Sequence, residues 1–298
     1  MKRVGCLLLG VIPVVVTAGA YFFAPAHEGG EGLGAPTVSA APQARQEAKD
    51  AAESEDDKVI AGLPAGLAAP TKKELAQRVV ASAVHSTTDW RSTYGAIRDT
   101  GDGRGYTAGI IGFCTGTHDL LELVERYTEE HPGNGLAGYL PALRAVDGTD
   151  SHEGLDPGFP QAWAEESRTE EFRAAQEAEH DRVYFDPAVR LAKLDGLGPL
   201  GQLAYYDAMA LHGPGVERNG FYGLRERAME AAGTPAEGGS EKAYLEAFLD
   251  AHRASIEARR TVSDTGRVDT TLRRFLRDGN LDLVTPLVWE IDGRTFRA

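Results

Sequence analysis

One aspartate stands in a glycine-rich turn from which it could do acid–base chemistry. Asp102 lies within residues 100–105, TGDGRG, where the glycines allow backbone conformations that other residues avoid and leave room for a bulky ligand. The guanidinium of Arg104 is close in sequence and would favour the ionised carboxylate. An ionised and accessible carboxylate can act as a general base that activates water. An ordinary Asp-Gly turn would explain the same residues.

Two other kinds of glycine-rich site do not fit this turn. An EF-hand needs oxygen ligands at fixed spacing and a terminal glutamate, and both are absent. A dinucleotide-binding turn follows a strand, and no strand is predicted before these glycines. The eight histidines are scattered, and no pair has metal-ligand spacing with cysteines or carboxylates. We therefore expect neither a metal nor a cofactor.

The elements that must position Asp102 are mainly helical. A capping box formed by Thr71 and Glu74, followed by apolar residues at helical spacing, predicts a helix that ends near Ser86. The same spacing predicts further helices over residues 120–127, 136–146, 163–184, 199–211, 222–232, 241–260 and 270–277. An extended segment is predicted over residues 106–113. We therefore predict an α+β fold, mostly α-helical, with a small sheet near Asp102.

The charge of the chain limits its partners. The formal net charge is −14 over 298 residues, and such a field argues against nucleic acid, whose phosphates need cations. It suits a polycationic ligand, because a negative cleft concentrates the opposite charge. The same negative net charge would also be explained if it only keeps an exported protein soluble.

The N-terminal residues are typical of an export signal. Lys2 and Arg3 precede an uncharged apolar run, and residues 24–26, APA, offer a cleavage site. The run is roughly 20 residues long, so an uncleaved membrane anchor is the alternative. We predict a signal peptide or membrane anchor over residues 1–26, a disordered acidic linker rich in Ala, Gly and Pro over 27–70, and one folded domain over 71–298. The domain would be extracellular or anchored outside the cytoplasmic membrane.

Longer strings within residues 71–289 resemble the chitosanases of glycoside hydrolase family 46. They cover residues 99–114 (DTGDGRGYTAGIIGFC), 139–143 (YLPAL), 181–189 (DRVYFDPAV), 200–208 (LGQLAYYDA), 212–215 (HGPG), 267–270 (RVDT) and 279–283 (GNLDL). The resemblance implies a two-lobed, lysozyme-like fold with a substrate cleft between the lobes. It also implies a secreted enzyme that hydrolyses the β-1,4 linkages of chitosan by an inverting mechanism. Its partners would be chitosan or glucosamine oligosaccharides, and we expect a monomer.

The resemblance assigns roles to residues of the turn and the segment after it. Asp102 is the general base, and Thr107 positions the attacking water. Arg104 lies beside the base and holds either the base or the sugar, and Asp119 binds the substrate through the ammonium group of a glucosamine unit. Cys114 has no role in this scheme, and we expect a buried, inert thiol without a disulfide partner.

A charged network is implied by the same resemblance. Asp207 and Arg267 match members of a buried network that supports the general acid, although an ordinary structural ion pair would look the same in sequence. His252 stands where the network has an arginine, and Arg253 could take over that place.

The general acid itself is missing from the pattern. In the family this glutamate lies in a Ser-Ala-Glu-Asn string, whereas residues 82–85 read SAVH here. Valine at position 84 cannot donate a proton, and Arg259 stands where the family has a sugar-binding glutamate. His85 and Asp89 are the neighbouring groups that could compensate. Three hypotheses follow: a weakened chitosanase, a non-hydrolytic binding protein that holds chitosan, and a protein of the same descent without a sugar ligand.

Overall fold

The computed structural model describes residues 53–259 and 265–298. The predicted signal or anchor and most of the predicted linker therefore lie outside the described residues. Residues 53–61 are helical, and Leu67 is fully buried, with its backbone N–H donating to the side chain of Gln202 at 2.7 Å. Part of the segment predicted as linker thus packs against the domain.

The first labelled helix, α1 (Pro70–His85), leads to the site. It begins at a proline, which suits the first turn because its missing N–H would be unpaired there in any case. The predicted capping box is not formed, because Ala69 is the N-cap and Glu74 instead pairs with Arg91 at 2.9 Å. The helix ends where predicted, and its C-cap, Ser86, has a left-handed conformation with φ 55°.

A three-stranded antiparallel sheet presents the Asp102 turn. Strands β1 (Ile97–Asp99) and β2 (Tyr106–Ala108) pair, and β3 (Phe113–Cys114) joins the other edge of β2. The predicted segment 106–113 is therefore two strands separated by a turn. Strand β1 was not predicted, but it leads into a hairpin and not into a helix, so the turn remains unlike a dinucleotide site. Residues 100–105 are the tip of the β1–β2 hairpin.

Helices make up most of the remaining chain. They are α2 (Asp119–Glu130), α3 (Leu140–Val146), α4 (Gly158–Glu166), α5 (Glu170–His180), α6 (Asp186–Leu194), α7 (Pro199–His212), α8 (Phe221–Ala231), α9 (Glu241–Glu257) and α10 (Arg273–Arg277). The predicted helix over 163–184 is interrupted, because the side chain of Thr169 caps a new helix by accepting the N–H of Phe172. A π-helical turn, Asp181–Phe185, then joins α5 to α6. The predicted α+β class, mostly helical with a small sheet, is confirmed.

Helix α7 runs through the core of the domain. Most of its residues are buried, including Leu203, Tyr205 and Met209, as expected for a helix that is surrounded on every side. A C-terminal hairpin that the sequence did not predict, β4 (Val288–Ile291) and β5 (Arg294–Arg297), packs against the π-helical turn Arg267–Leu272 and reaches α1 through Trp289. The indole N–H of buried Trp289 donates to Ser82 Oγ at 2.8 Å. None of the helices in the described part of the chain is long and apolar enough to cross a membrane.

Candidate active site

The Asp102 carboxylate is held by Arg104, two residues later in the chain. Gly101, Gly103 and Gly105 have φ of 69°, 83° and 65°, which are left-handed conformations that favour glycine. These bends let the backbone N–H of Arg104 donate to Asp102 Oδ1 at 3.1 Å and its Nε donate to Oδ2 at 2.8 Å. The carbonyl of Arg104 in turn accepts the N–H of Gly116 at 2.9 Å. The turn is therefore anchored at its arginine and presents the carboxylate in one orientation.

The electrostatics of the turn favour the ionised carboxylate. Burial raises the pKa of Asp102, but the hydrogen bonds and charge of Arg104 outweigh it, so the pKa lies below its ordinary value. The Asp102 side chain is only 14% exposed, because the guanidinium covers it. The sequence predicted an exposed carboxylate with Arg104 nearby, and the structure shows one that is covered on the side of Arg104.

Thr107 lies on β2, behind the turn. Its side chain is buried, and its hydroxyl is 3.3 Å from Cys114 Sγ across the β2–β3 pair. Burial raises the pKa of the Cys114 thiol, which is free and buried, as predicted. The hydroxyl of Thr107 therefore has a partner inside the protein, and its role toward a water stays a prediction.

Val84, in the last turn of α1, has an apolar side chain at the position of the missing general acid. Its side chain is half-buried and packs against the core, and its carbonyl accepts from Arg98 Nη2 on β1 at 3.0 Å. A methyl group on Gly112 would lie 2.9 Å from Thr107 Cγ2 and 3.3 Å from Val84 Cγ1. The end of α1 thus faces the β2–β3 turn through apolar groups.

Neither neighbour of Val84 presents a proton donor in its place. His85 Nε2 donates to the carbonyl of Gly109 at 3.0 Å, so that the imidazole is turned toward the backbone. Burial also lowers the pKa of His85, which leaves it neutral near neutral pH. Asp89 is exposed and precedes the short 3₁₀ turn Trp90–Thr93, where its backbone carbonyl accepts from the Ser92 hydroxyl at 2.6 Å.

Asp119 is buried at the start of α2. Its Oδ1 accepts from the backbone N–H of Cys114 at 3.1 Å and from the Thr117 hydroxyl at 2.6 Å, and its Oδ2 accepts from the Tyr184 hydroxyl. Burial raises its pKa against these hydrogen bonds. Both oxygens are thus engaged within the protein, and the predicted contact with a glucosamine ammonium remains a prediction.

The predicted network residues come together inside the domain. Asp207 on α7 lies 3.6 Å from Arg267 Nη1 and 3.8 Å from His252 Nε2 on α9, and all three side chains are buried. Burial raises the pKa of Asp207 and lowers that of His252. Arg253 does not replace His252, because its Nε donates to Asp269 Oδ2 at 3.0 Å on a different face of α9.

His212 and Arg259 form a group that the sequence did not single out as a unit. Arg259, just after α9, donates from Nη2 to the carbonyl of Leu211 at 2.6 Å and lies 3.3 Å from His212 Nδ1. The His212 ring contacts His252 edge to face, with 4.9 Å between centroids. Burial, with the charges of Arg104 and Arg267, lowers the pKa of Arg259 to about 10. The HGPG string at residues 212–215 had been noted in the sequence. Nothing in it indicated that His212 contacts Arg259, 47 residues later in the chain.

The arrangement can supply one half of an acid–base pair. Asp102 provides an oriented, ionised carboxylate, and Val84 provides no proton donor. Among residues 53–259 and 265–298, no three histidine, cysteine or carboxylate side chains are grouped so that they could hold a metal ion. The chemistry that these residues can perform without a cofactor is activation of a water molecule.

Comparison with known proteins gives one consistent result. The model of glycosyl hydrolase family 46 matches residues 78–287. A chitosanase from Streptomyces sp. (strain N174) is 55% identical over 229 residues, which cover 77% of this chain and 82% of the relative. A solved chitosanase complex has a TM-score of 0.78 at 52% identity and covers 79% of this chain and 100% of its own. A Gynuella sunshinyii chitosanase in complex with chitotetraose has a TM-score of 0.70 at 36% identity, and the match covers 76% of this chain and 96% of that one.

Proposed function

Because the chain belongs to glycosyl hydrolase family 46, we propose that it binds chitosan beside Asp102 and hydrolyses its β-1,4 linkages slowly, by an inverting mechanism. The observation that carries the proposal is the Asp102–Arg104 pair at the tip of the β1–β2 hairpin. It supplies an ionised carboxylate in a fixed orientation, as a general base requires. The names of the relatives support the substrate, since they are chitosanases and one was solved with chitotetraose.

Asp102 acts as the general base in this mechanism. Inverting glycosidases hold their two carboxyl groups about 6.5–9.5 Å apart, so that a water fits between the base and the sugar. Asp102 removes a proton from this water while Arg104 keeps the carboxylate ionised. Thr107, on the adjoining strand, helps to hold the water. The water then attacks the anomeric carbon from the face opposite to the leaving oxygen.

The slow step is departure of the leaving sugar. Its oxygen must gain a proton as the glycosidic bond breaks, and the side chain at position 84 is hydrocarbon. His85 does not substitute, because its ring nitrogen is hydrogen-bonded to Gly109 and points to the backbone. Loss of a general acid lowers the rate by a factor of about 10² to 10⁴. The remaining turnover would use solvent as the acid.

A second candidate function is non-hydrolytic binding of chitosan or a related cationic polysaccharide. The apolar end of α1, formed by Val84, favours it, because removal of the acid leaves the rest of the site able to hold a sugar chain. The net charge of −14 suits a polycationic ligand in either case. The two functions differ only in whether bound chitosan is cut.

Release of reducing ends from soluble chitosan, measured beside equilibrium binding, tests the proposal. We expect binding with slow release in the unmodified protein, and release at background in an Asp102→Asn variant that still binds. Unchanged release in that variant would show that the base lies elsewhere. Binding without any release would favour the second candidate, and absence of binding would remove chitosan as the ligand.

Export is part of the proposal as well. Lys2, Arg3 and the apolar run that follows support a secreted protein, or one tethered outside the cytoplasmic membrane. The N-terminal sequence of the protein recovered from culture medium and from membranes decides between the two. A start close to residue 27 in the medium supports cleavage, and an intact N-terminus in the membrane fraction supports the tether.

A further inference from the structure

Three arginines, Arg104, Arg259 and Arg267, lie close enough for their charges to affect one another, and they are not balanced alike. Arg104 pairs with Asp102 at 2.6 Å, and Arg267 lies 3.6 Å from Asp207. Arg259 makes no ion pair with any carboxylate of the described residues, and its hydrogen-bonding partners are the Leu211 carbonyl and the His212 ring. Among residues 53–259 and 265–298 it therefore adds one positive charge that no carboxylate pairs with.

The position of this charge makes the imbalance costly. The Arg259 side chain is partly buried, so that water screens its charge poorly. The positive charges of Arg104 and Arg267 both lower the pKa of Arg259. The negative charge of Asp102 raises it, but that carboxylate is already paired with Arg104. A buried cation that lacks a partner destabilises a fold unless something of opposite charge binds there.

His212 gives a second and independent observation. Because Arg259 donates to its Nδ1, the ring proton is on Nε2, which makes that atom a donor. This Nε2 is buried and has no hydrogen-bond partner. Arg267 Nη1, Asp207 Oδ2 and both ring nitrogens of His252 are likewise buried without a hydrogen-bond partner, although they lie within ion-pair distance of one another. Buried polar atoms of native proteins almost always have partners.

We infer that Arg259 binds an anionic substituent, a carboxylate or a sulfate ester, on the amino-sugar polymer held beside Asp102. The inference rests on the proposed function, because it concerns the same ligand. A ligand that is anionic throughout does not fit, since the chain carries a net charge of −14. An amino-sugar chain with occasional anionic groups satisfies both the overall field and the local cation.

Isothermal titration with defined hexasaccharides tests this inference. The probes are chitohexaose, its 6-O-carboxymethyl and 6-O-sulfo derivatives, and the fully N-acetylated hexamer. We expect at least one anionic derivative to bind about tenfold more tightly than chitohexaose, the effect of one charge-assisted hydrogen bond. The carboxymethyl and sulfo arms show which anion the site takes.

Variants of Arg259 show whether the preference arises there. Arg259→Gln should bind the anionic and unmodified hexamers equally, while Arg259→Lys, which keeps the charge and guards against a folding defect, should retain the preference. Arg277→Gln removes an exposed arginine of α10 and should change nothing. A preference that survives in Arg259→Gln would overturn the inference.

The two proposals fail in different ways. Equal binding of chitohexaose and its anionic derivatives by the unmodified protein would overturn the inference and leave the proposed function intact. Tight binding of an anionic hexamer without binding of chitohexaose would support the inference and contradict chitosan as the ligand. If the N-acetylated hexamer bound as tightly as the anionic ones, Arg259 would be a donor to uncharged oxygen, and the inference would be wrong.

Discussion

Val84 and Thr107 approach the same glycine from two elements, the end of α1 and strand β2. A Cβ on Gly112 would lie 3.3 Å from Val84 Cγ1 and 2.9 Å from Thr107 Cγ2. Gly112 also has a φ of 81°, a conformation that residues with side chains avoid. The absence of a side chain at position 112 therefore sets how closely the end of α1 approaches the sheet that presents Asp102.

Gly112→Ala should destabilise the protein for two reasons. The left-handed backbone alone costs about 1–3 kcal/mol for a residue with a Cβ, and the contact with Thr107 adds to it. Gly238→Ala is the matched control, because Gly238 has a φ of 86° and nothing within 4 Å of the added Cβ. Urea unfolding compares the two variants, and an equal loss would show that the contact with Thr107 is unimportant.

Arg104→Gln should raise the pKa of Asp102. The guanidinium is the main group that lowers this pKa against the effect of burial, so its removal should raise the pKa. Titration of the carboxyl carbon by nuclear magnetic resonance measures the change. Arg98→Gln removes a nearby arginine that binds the Val84 carbonyl instead, and it should leave the pKa of Asp102 where it is. A similar rise in both variants would contradict a specific Asp102–Arg104 pair.

Asp207→Ala should be strongly destabilising. It would leave Arg267 buried without a counter-charge, a change that costs about 3–5 kcal/mol. Asp250→Ala removes one partner of an exposed pair with Arg273, where the Asp250 side chain is 70% exposed. That loss should stay below about 1 kcal/mol. Chemical denaturation of both variants provides the measurement, and a small loss for Asp207→Ala would argue against a buried charge pair.

The stability of the domain should fall as the pH falls below about 6.5. Burial lowers the pKa values of His212 and His252 from their ordinary value of 6.5, so below that pH the unfolded chain binds protons that the native protein does not. His252→Gln should flatten the pH dependence by up to about 1.4 kcal/mol per pH unit. His118 acts in the opposite direction, since Asp147 raises its pKa, and His118→Gln should not flatten the curve. Thermal unfolding between pH 4 and pH 7 tests this (the range is roughly that of histidine titration).

The parts of the fold that were predicted correctly have strong local signals. Helix α7 is a long apolar segment that begins at Pro199 and is followed by Gly213, and both ends were placed within one residue. Strand β1 was missed because it has three residues, two of them charged, and forms only by pairing with β2. The hairpin that carries Trp289 was missed for a similar reason, because its position depends on a contact with Ser82, 207 residues away.

The site shows the same division between local and long-range information. The Asp102–Arg104 pair could be predicted because the two residues are neighbours in a glycine turn. The contact between His212 and Arg259 could not, because it joins α7 to the end of α9 and is visible only after folding. The orientation of His85 toward Gly109 was likewise unpredictable from helical spacing alone.

The most direct test of the central claim is the rate of reducing-end release by Val84→Glu, measured on soluble chitosan beside the unmodified protein and Val84→Gln. Glutamate would supply the missing proton donor, and the rate should rise by a factor of about 10² to 10⁴. Glutamine has nearly the same size without an acidic proton, so that variant should stay slow. Equal rates in Val84→Glu and Val84→Gln, or an unmodified protein already as fast as Val84→Glu, would contradict the account.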